Sequence, residues 1–294
     1  MEKGAVMIDY EYLKPKNLEE VFSLLKSYGE KAVLIAGGTD VMVNIRNKKL
    51  APEALISLRG LEDLAYVKKE EDAYRIGALT THRMLETSPL VQKELSALYD
   101  GASQVGSVQI RNVATVGGNI CNAAPSADTA SPLLALDAVA VLRGPGGSRK
   151  VPLTEFFTGP SQTVRADDEV LVEFEIPSEM ERFGSAYHKH SRRKAMDLPI
   201  LGVAVSLKVD GDTIQDARIA LSVAAPTPIR AKEAEAYLKG KEVSDDILAE
   251  AGKIAASEAS PRDSLRGKAW YRKEMIETFV PRMAHKALER LKNR

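Results

Sequence analysis

The sequence predicts a mixed α+β protein, on three observations. The chain has 294 residues, and at roughly 150 residues per domain that is about two domains. Its first part alternates helical patterns with short apolar runs of strand length, and its last part runs strand, strand, then helices. Hydrophobic residues make up 44% and charged residues 28%, which is the balance of an ordinary globular protein and excludes disordered and collagen-like classes.

Asn17 is placed to cap a helix whose apolar stripe is Val21, Leu24 and Leu25, with Glu19 and Glu20 at its positive end. Gly29 is its stop. Ala32 to Ala36 is a short buried strand, and Gly37-Gly38-Thr39-Asp40 follows at once. A second β-like run is Ala54 to Leu58. Tyr66–Lys68 and Tyr74–Gly77 read as strands joined by the acidic turn Glu70-Glu71-Asp72. Thr81 to Leu85 starts a helix, and Leu90 to Val105 continues helical. Ile110 to Asp128 is too rich in Gly, Asn, Ala and Ser for a simple core element. Ala138–Leu142 and Val170–Ile176 are strands, with a turn at Gly144-Pro145-Gly146-Gly147. Pro177 closes this region.

Beyond Pro177 a second module begins. Gly202–Val209 and Ala217–Ala225 form a hairpin through Asp210-Gly211-Asp212. Helices are expected at Ala231–Leu238, Asp245–Ser257 and Ser264–Leu291, the last kinked or split at Pro281. The expected domains are therefore 1–177, with subdomains about 1–60 and 61–177, and 178–294.

Charge and cysteine content narrow the function. Forty-one basic and 41 acidic residues cancel, and the pI is about 6.9, so non-specific nucleic-acid binding is not expected. One cysteine permits no intrachain disulfide, no cysteine-held iron–sulfur cluster and no zinc knuckle, and it suits a reducing cytoplasm. Met1 to Val6 lack a signal-type apolar stretch. The most apolar run, Pro132–Leu142, is far too short to span a bilayer. There is no GxSxG, HExxH, GxxxxGK[ST] or CxxC sequence. Of His82, His188, His190 and His285, only His188 and His190 are close in sequence, and no third metal ligand accompanies them.

Two Gly-Gly segments remain. In Leu34-Ile35-Ala36-Gly37-Gly38-Thr39-Asp40-Val41 a strand delivers the chain into glycines that permit positive φ and close approach to a bulky anion. In Thr115-Val116-Gly117-Gly118-Asn119 the same ingredients recur, with Asp128 further on. Two such segments suit a ligand with a long phosphate-bearing body, a dinucleotide. Neither has the GxGxxG form of a Rossmann site. Either one taken alone reads first as a structural turn. Asp128 has a second, lesser reading as a helix cap near Thr129, and Leu171 reads equally as a core strand residue. Cys121 reads as a small buried residue, and Arg192-Arg193-Lys194 as a solvated basic face.

Ala36-Gly37-Gly38-Thr39-Asp40, Gln109-Ile110-Arg111-Asn112, Thr115-Val116-Gly117-Gly118-Asn119-Ile120 and Ala224-Ala225-Pro226-Thr227-Pro228-Ile229-Arg230 closely resemble the FAD-binding subunit of molybdenum hydroxylases. That family includes xanthine dehydrogenase and aerobic carbon monoxide dehydrogenase. The resemblance runs from about Tyr10 to about Leu291. Ile120-Cys121-Asn122 and Ala224–Arg230 are most similar to the xanthine dehydrogenase type. The resemblance implies a p-cresol methylhydroxylase-type FAD-binding fold of two α/β subdomains, followed by a C-terminal α+β domain.

It also implies non-covalent FAD held by Leu34 to Val41 and Thr115 to Asn119, with Asp128 near the ribityl and phosphate region and Val105 and Leu171 near the ring system. Lys189, or His188 one residue away, reaches in from the C-terminal domain. Molybdopterin and [2Fe–2S] clusters are implied only on partner subunits, an iron–sulfur subunit and a molybdenum-cofactor subunit, in a dimer of heterotrimers with NAD⁺ as one possible acceptor. The chain is then an oxidoreductase subunit that takes electrons from clusters and needs no general acid or base. A carbon monoxide or aldehyde dehydrogenase-type complex, a self-sufficient flavin oxidase and a scaffold that only assembles with others are the alternatives.

Overall fold

The computed structural model describes residues 9–293, so the reading of Met1 to Val6 lies outside the described residues. The chain begins with β1 (Glu11–Leu13), α1 (Leu18–Tyr28), β2 (Ala32–Ile35), α2 (Val41–Arg46) and β3 (Ala54–Ser57). Asn17 accepts from the Glu20 amide and caps α1, and Gly29 ends it at φ 53°. The three strands form a parallel sheet in the order β1-β3-β2. Parallel strands need a crossover, and α1 supplies it between β1 and β2. All four residues of β3 are buried, as a central parallel strand requires.

The second unit holds β4 (Val67–Lys69), β5 (Ala73–Gly77), α3 (His82–Thr87), α4 (Pro89–Glu94), α5 (Ser96–Ser103), α6 (Val108–Arg111), α7 (Val116–Cys121) and α8 (Ala130–Ala135). Next come β6 (Val139–Gly144), β7 (Gly147–Pro152), β8 (Phe157–Gly159), β9 (Gln162–Thr163) and β10 (Val170–Pro177). Its main sheet is antiparallel, β4-β5-β10-β6-β7. Leu90 to Val105 is two helices, not one, because Leu95 leaves the helical region at φ −119°, ψ 48°. The Gly- and Asn-rich stretch is more regular than its composition suggests. Ser107 and Thr115 cap α6 and α7 through their hydroxyls, and the caps organise helices that a propensity reading misses.

The C-terminal unit is β11 (Gly184–His190), β12 (Leu201–Asp210), β13 (Thr213–Ser222), β14 (Ile229–Arg230), α9 (Lys232–Leu238), α10 (Asp245–Glu258) and α11 (Ala269–Lys292). Its antiparallel sheet runs β11-β12-β13-β14. The expected hairpin turns at Gly211, φ 56°. The helix begins at Ala269, five residues after the expected Ser264, and Pro281 does not split it. Leu201 to Leu207 are buried without alternation, because both faces of this sheet are covered. Ala204, Ala220 and Tyr187 join the core of the second unit, while Val203, Val205 and Leu221 pack under α10 and α11.

Ion pairs fix this docking. Arg290 of α11 grips Asp100 of α5 with both ends, at 2.7 and 2.8 Å, and the Tyr187 amide donates to the same carboxylate at 3.0 Å. Asp137 stands between Arg218 and Arg230.

Candidate functional site

A cavity of about 1090 Å³ opens where the three units meet. That is at the upper end of small-molecule sites. The first Gly-Gly segment forms one wall. Gly38 adopts φ +75°, which turns the chain from β2 into α2. The first helical bond runs from the Met42 amide to Gly38 O at 3.0 Å, so the amides of Thr39, Asp40 and Val41 precede it and have no acceptor in the helix.

The second segment behaves differently. The Val116 amide donates to Thr80 O, Gly117 to Ala78 O, Gly118 to Thr115 Oγ1 and Asn119 to Thr115 O, all at 2.9 to 3.1 Å. These amides serve the protein. The segment offers the cavity a flat glycine surface and its polar side chains rather than an amide nest.

The two glycines of each pair have separate tasks. A Cβ on Gly37 would sit 2.1 Å from Val113 O, and one on Gly117 would sit 2.6 Å from Ala78 O. These positions are bare so that backbone segments can touch. A Cβ on Gly118 would meet only Thr115 Oγ1, at 3.0 Å; beyond that lies the cavity.

Of the residues predicted to hold the cofactor, Leu34, Ala36, Gly37, Gly38, Thr39, Asp40, Val41, Val105, Thr115, Gly117, Gly118, Asn119, Asp128 and Leu171 line the cavity. Ile35 and Val116 turn their side chains into the core instead. Leu171 does both, packing in the core and facing the cavity. Cys121 also lines it, and burial pushes its thiol up to about 11.

Lys189 is not in the wall. It stands behind Asp128, donating to its Oδ2 at 2.7 Å and to Gln104 O at 3.0 Å. Tyr187 donates its hydroxyl to Asp128 Oδ1 at 3.2 Å. Asp128 therefore does not cap α8; its side chain is held by two residues of the C-terminal unit. Burial raises its carboxyl to about 6 although Lys189 and Tyr187 oppose this. Strand alternation sends His188 to the opposite face of β11, where its ring lies 4.2 Å from that of Phe279. His190 meets Tyr271 Oη at 2.9 Å through Nε2. Both histidines are packed among aromatic rings.

Several wall residues carry no signal in the sequence. Ala78, Leu79, Ala114 and His82 come from the turn before α3 and from the approach to α7, and Arg266 comes from the turn before α11. Arg192, Arg193, Met196 and Leu198 form the loop after β11 at the cavity. The basic run Arg192-Arg193-Lys194 is visible in the sequence, but the return of this loop to the Gly106 carbonyl, through the Met196 amide at 3.2 Å, is not. Arg111, in the Gln109-Ile110-Arg111-Asn112 motif, binds Glu86 at 3.0 and 3.1 Å and Val105 O at 3.1 Å. It fixes the segment that carries Val105.

Comparison with known proteins matches residues 8–179 to the family described as FAD binding domain in molybdopterin dehydrogenase. Residues 185–287 match CO dehydrogenase flavoprotein C-terminal domain. The chain is 35% identical over 285 residues to the xanthine dehydrogenase FAD-binding subunit of Escherichia coli O157:H7, covering 96% of this chain and 97% of that one. It is 34% identical over 281 residues to the carbon monoxide dehydrogenase medium chain of Hydrogenophaga pseudoflava, covering 96% and 98%. A solved structure of carbon monoxide dehydrogenase from that organism, lacking the Mo-pyranopterin moiety, superposes with a TM-score of 0.92 at 35% identity, over 96% of this chain and 98% of that one.

Proposed function

The chain belongs to the FAD-binding subunits of the molybdenum hydroxylases, and on that premise we propose that it is the flavin end of an electron relay spread over several subunits. It receives electrons from [2Fe–2S] clusters of an iron–sulfur partner and delivers them to NAD⁺ or another acceptor. The organic substrate reacts on a molybdenum-cofactor partner. The assembly is a dimer of heterotrimers. Within this chain the FAD-binding domain ends at Pro177, and residues 178–294 close the site.

One observation carries this reading: both Gly-Gly segments, which are 80 residues apart, line a single cavity. The cavity also suits a dinucleotide locally. The space where a Gly118 side chain would stand is open to it, and the turn at Gly38 leaves the amides of Thr39, Asp40 and Val41, all cavity-lining residues, without an acceptor in the helix. FAD when bound supplies the redox chemistry. The protein's part is to hold and orient it. The amides of Thr39 to Val41 and the polar side chains and bare glycine surface of the Thr115 to Asn119 segment would hold the diphosphate, Asp128 would accept hydrogen bonds from the ribityl hydroxyls, and Val105 and Leu171 would exclude water from the ring. Lys189 and Tyr187 keep Asp128 in place. The single cysteine leaves cluster ligation to the partner.

Identity does not choose the substrate, since relatives named for xanthine and for carbon monoxide stand at 35% and 34%. Among the described residues no helix is long and apolar enough to cross a membrane.

The test is the visible spectrum of the purified chain before and after stoichiometric FAD, followed by NADH. Bound flavin that bleaches with NADH supports the relay with NAD⁺ as acceptor. Bound flavin that does not bleach assigns another acceptor. A folded chain that takes no FAD, alone or co-expressed with its partners, overturns the reading.

A further inference from the structure

The segment Ala224–Arg230 carries part of the family resemblance, yet it stands outside the cavity wall. Just before it, Val223 follows β13 and turns the chain at φ +61°. That is left-handed backbone, in which a β-branched residue is an outlier. Strain of this kind persists only where the surroundings impose it, and it collects at ligand clamps and active sites.

The turn gives Val223 a contact across the domain boundary. Its amide donates to Pro125 O at 3.0 Å, while the carbonyl of the next residue, Ala224, accepts from the Ser260 amide at 2.9 Å. Two neighbouring residues thus serve opposite sides, the first the FAD-binding domain and the second the C-terminal unit. Pro125 belongs to the connector 122–129 between α7, which holds the second Gly-Gly pair, and α8. Ala124, Ser126, Ala127 and Asp128 of this connector line the cavity. The connector is a run of turns rather than helix or strand, so its shape depends on ties from outside. Beyond it, Arg230 donates to Leu134 O at 3.0 Å and pairs with Asp137. The stretch from Val223 to Arg230 therefore holds the connector and α8 at two points, Pro125 and Leu134, with Asp128 between them.

We infer that Val223 is a positioning residue for the cofactor: its amide, aimed by a strained turn, pins Pro125 and so keeps the wall between the second Gly-Gly segment and Asp128 in its ligand-ready shape, with Arg230 fixing the far end. The inference rests on the FAD reading above, and it gives the Ala224–Arg230 segment a part in binding from outside the cavity. Coupling between two sites is reciprocal, so if the bond from Val223 to Pro125 favours FAD, FAD strengthens that bond by the same factor.

The experiment measures amide hydrogen exchange by NMR on the full chain, without and with saturating FAD. It compares Val223 with Ala231, whose amide donates to Ile219 O at 2.8 Å within the C-terminal unit. FAD dissociation constants are measured in parallel for the wild type, Val223→Gly and Val223→Pro. Glycine keeps the amide and accepts positive φ, whereas proline has no amide hydrogen and cannot reach it. The expected result is that FAD slows exchange at Val223 at least about fivefold more than at Ala231, and that V223P binds FAD about tenfold more weakly while V223G binds like the wild type. A general gain in stability slows both amides alike, so equal slowing at the two overturns the inference. A folded V223P that binds FAD as tightly as the wild type overturns it, and so does a V223G as weak as V223P, because the valine side chain and not the turn would then matter. If V223P does not fold, the exchange comparison in the wild type decides alone. A wild type that takes no FAD removes the FAD reading itself, which is a separate outcome.

Discussion

Lys189 reaches out of the C-terminal sheet to place its ammonium 2.7 Å from Asp128 Oδ2, and both side chains are buried, at 5% and 9% exposure. The pair joins the last strand before the cavity loop to the wall of the cavity itself.

Breaking this pair leaves a buried charge without a partner. Lys189→Met is expected to cost about 3–5 kcal/mol near pH 8. The carboxyl of Asp128 is raised in the folded chain to about 6 from an ordinary 3.8. Its contribution to stability is thus fully present below pH 3.8 and is lost as pH rises through about 6. In K189M that titration moves higher, so the variant's deficit shrinks at pH 5. Urea unfolding of both proteins at pH 5 and pH 8 checks this; an equal deficit at both contradicts it.

The glycine pairs predict two phenotypes. Gly37→Ala and Gly117→Ala force backbone apart, at 2.1 and 2.6 Å, and are expected to lower thermal stability as well as flavin content. Gly118→Ala meets only the Thr115 hydroxyl and is expected to bind FAD more weakly with little loss of melting temperature. Gly38→Val and Gly118→Val are expected to abolish FAD binding while the C-terminal domain stays folded, with Gly38→Val also strained by roughly 1–2 kcal/mol at its positive φ. Melting curves and flavin titrations of the set separate the two classes.

Asp100 and Arg290 hold α11 to the FAD-binding domain. Asp100→Ala is expected to destabilise by on the order of 3 kcal/mol and to uncouple the two parts. Trp270 is the only tryptophan and reports on the C-terminal domain, whereas flavin fluorescence reports on the cavity. Their transitions coincide in the wild type and separate in the variant; coincidence in both would show that the apolar interface alone holds the domains together.

Arg111→Lys removes a forked contact that an ammonium cannot copy. FAD affinity is expected to fall about tenfold as the segment carrying Val105 loosens. Affinity unchanged in R111K would show that Val105 is fixed without the fork.

Cys121 is expected to react slowly with thiol reagents at pH 8, because its thiol is held protonated up to about 11. Cys121→Ala is expected to keep its flavin, and acid precipitation should release that flavin from wild type and variant alike. Flavin retained on the precipitated wild type would mean a covalent link.

What the sequence made legible was local. Asn17, Gly29, the Gly211 turn and both Gly-Gly segments can be read because each depends on neighbours within a few residues. The break at Leu95 could not be read, because the apolar pattern runs through it and only packing stops the helix. Lys189 and His188 could not be told apart until β11 existed to send them to opposite faces. His82 was one histidine among four. Its burial follows from its own amide bond to Ala114 O and from the bridge of the preceding Thr81 to Thr115, more than thirty residues away, and composition holds no trace of them. Arg266, brought to the cavity from the far end of the chain, is hidden for the same reason.

The cavity wall draws on residues from Leu25 to Arg266. A chain emerging during synthesis has no complete pocket until the last of these is out and folded. A ligand bound there adds to stability in proportion to the logarithm of its concentration over its dissociation constant, and only a finished chain collects that gain. A copy cut short before Arg266 lacks part of the wall, and the stability it draws from the ligand falls accordingly.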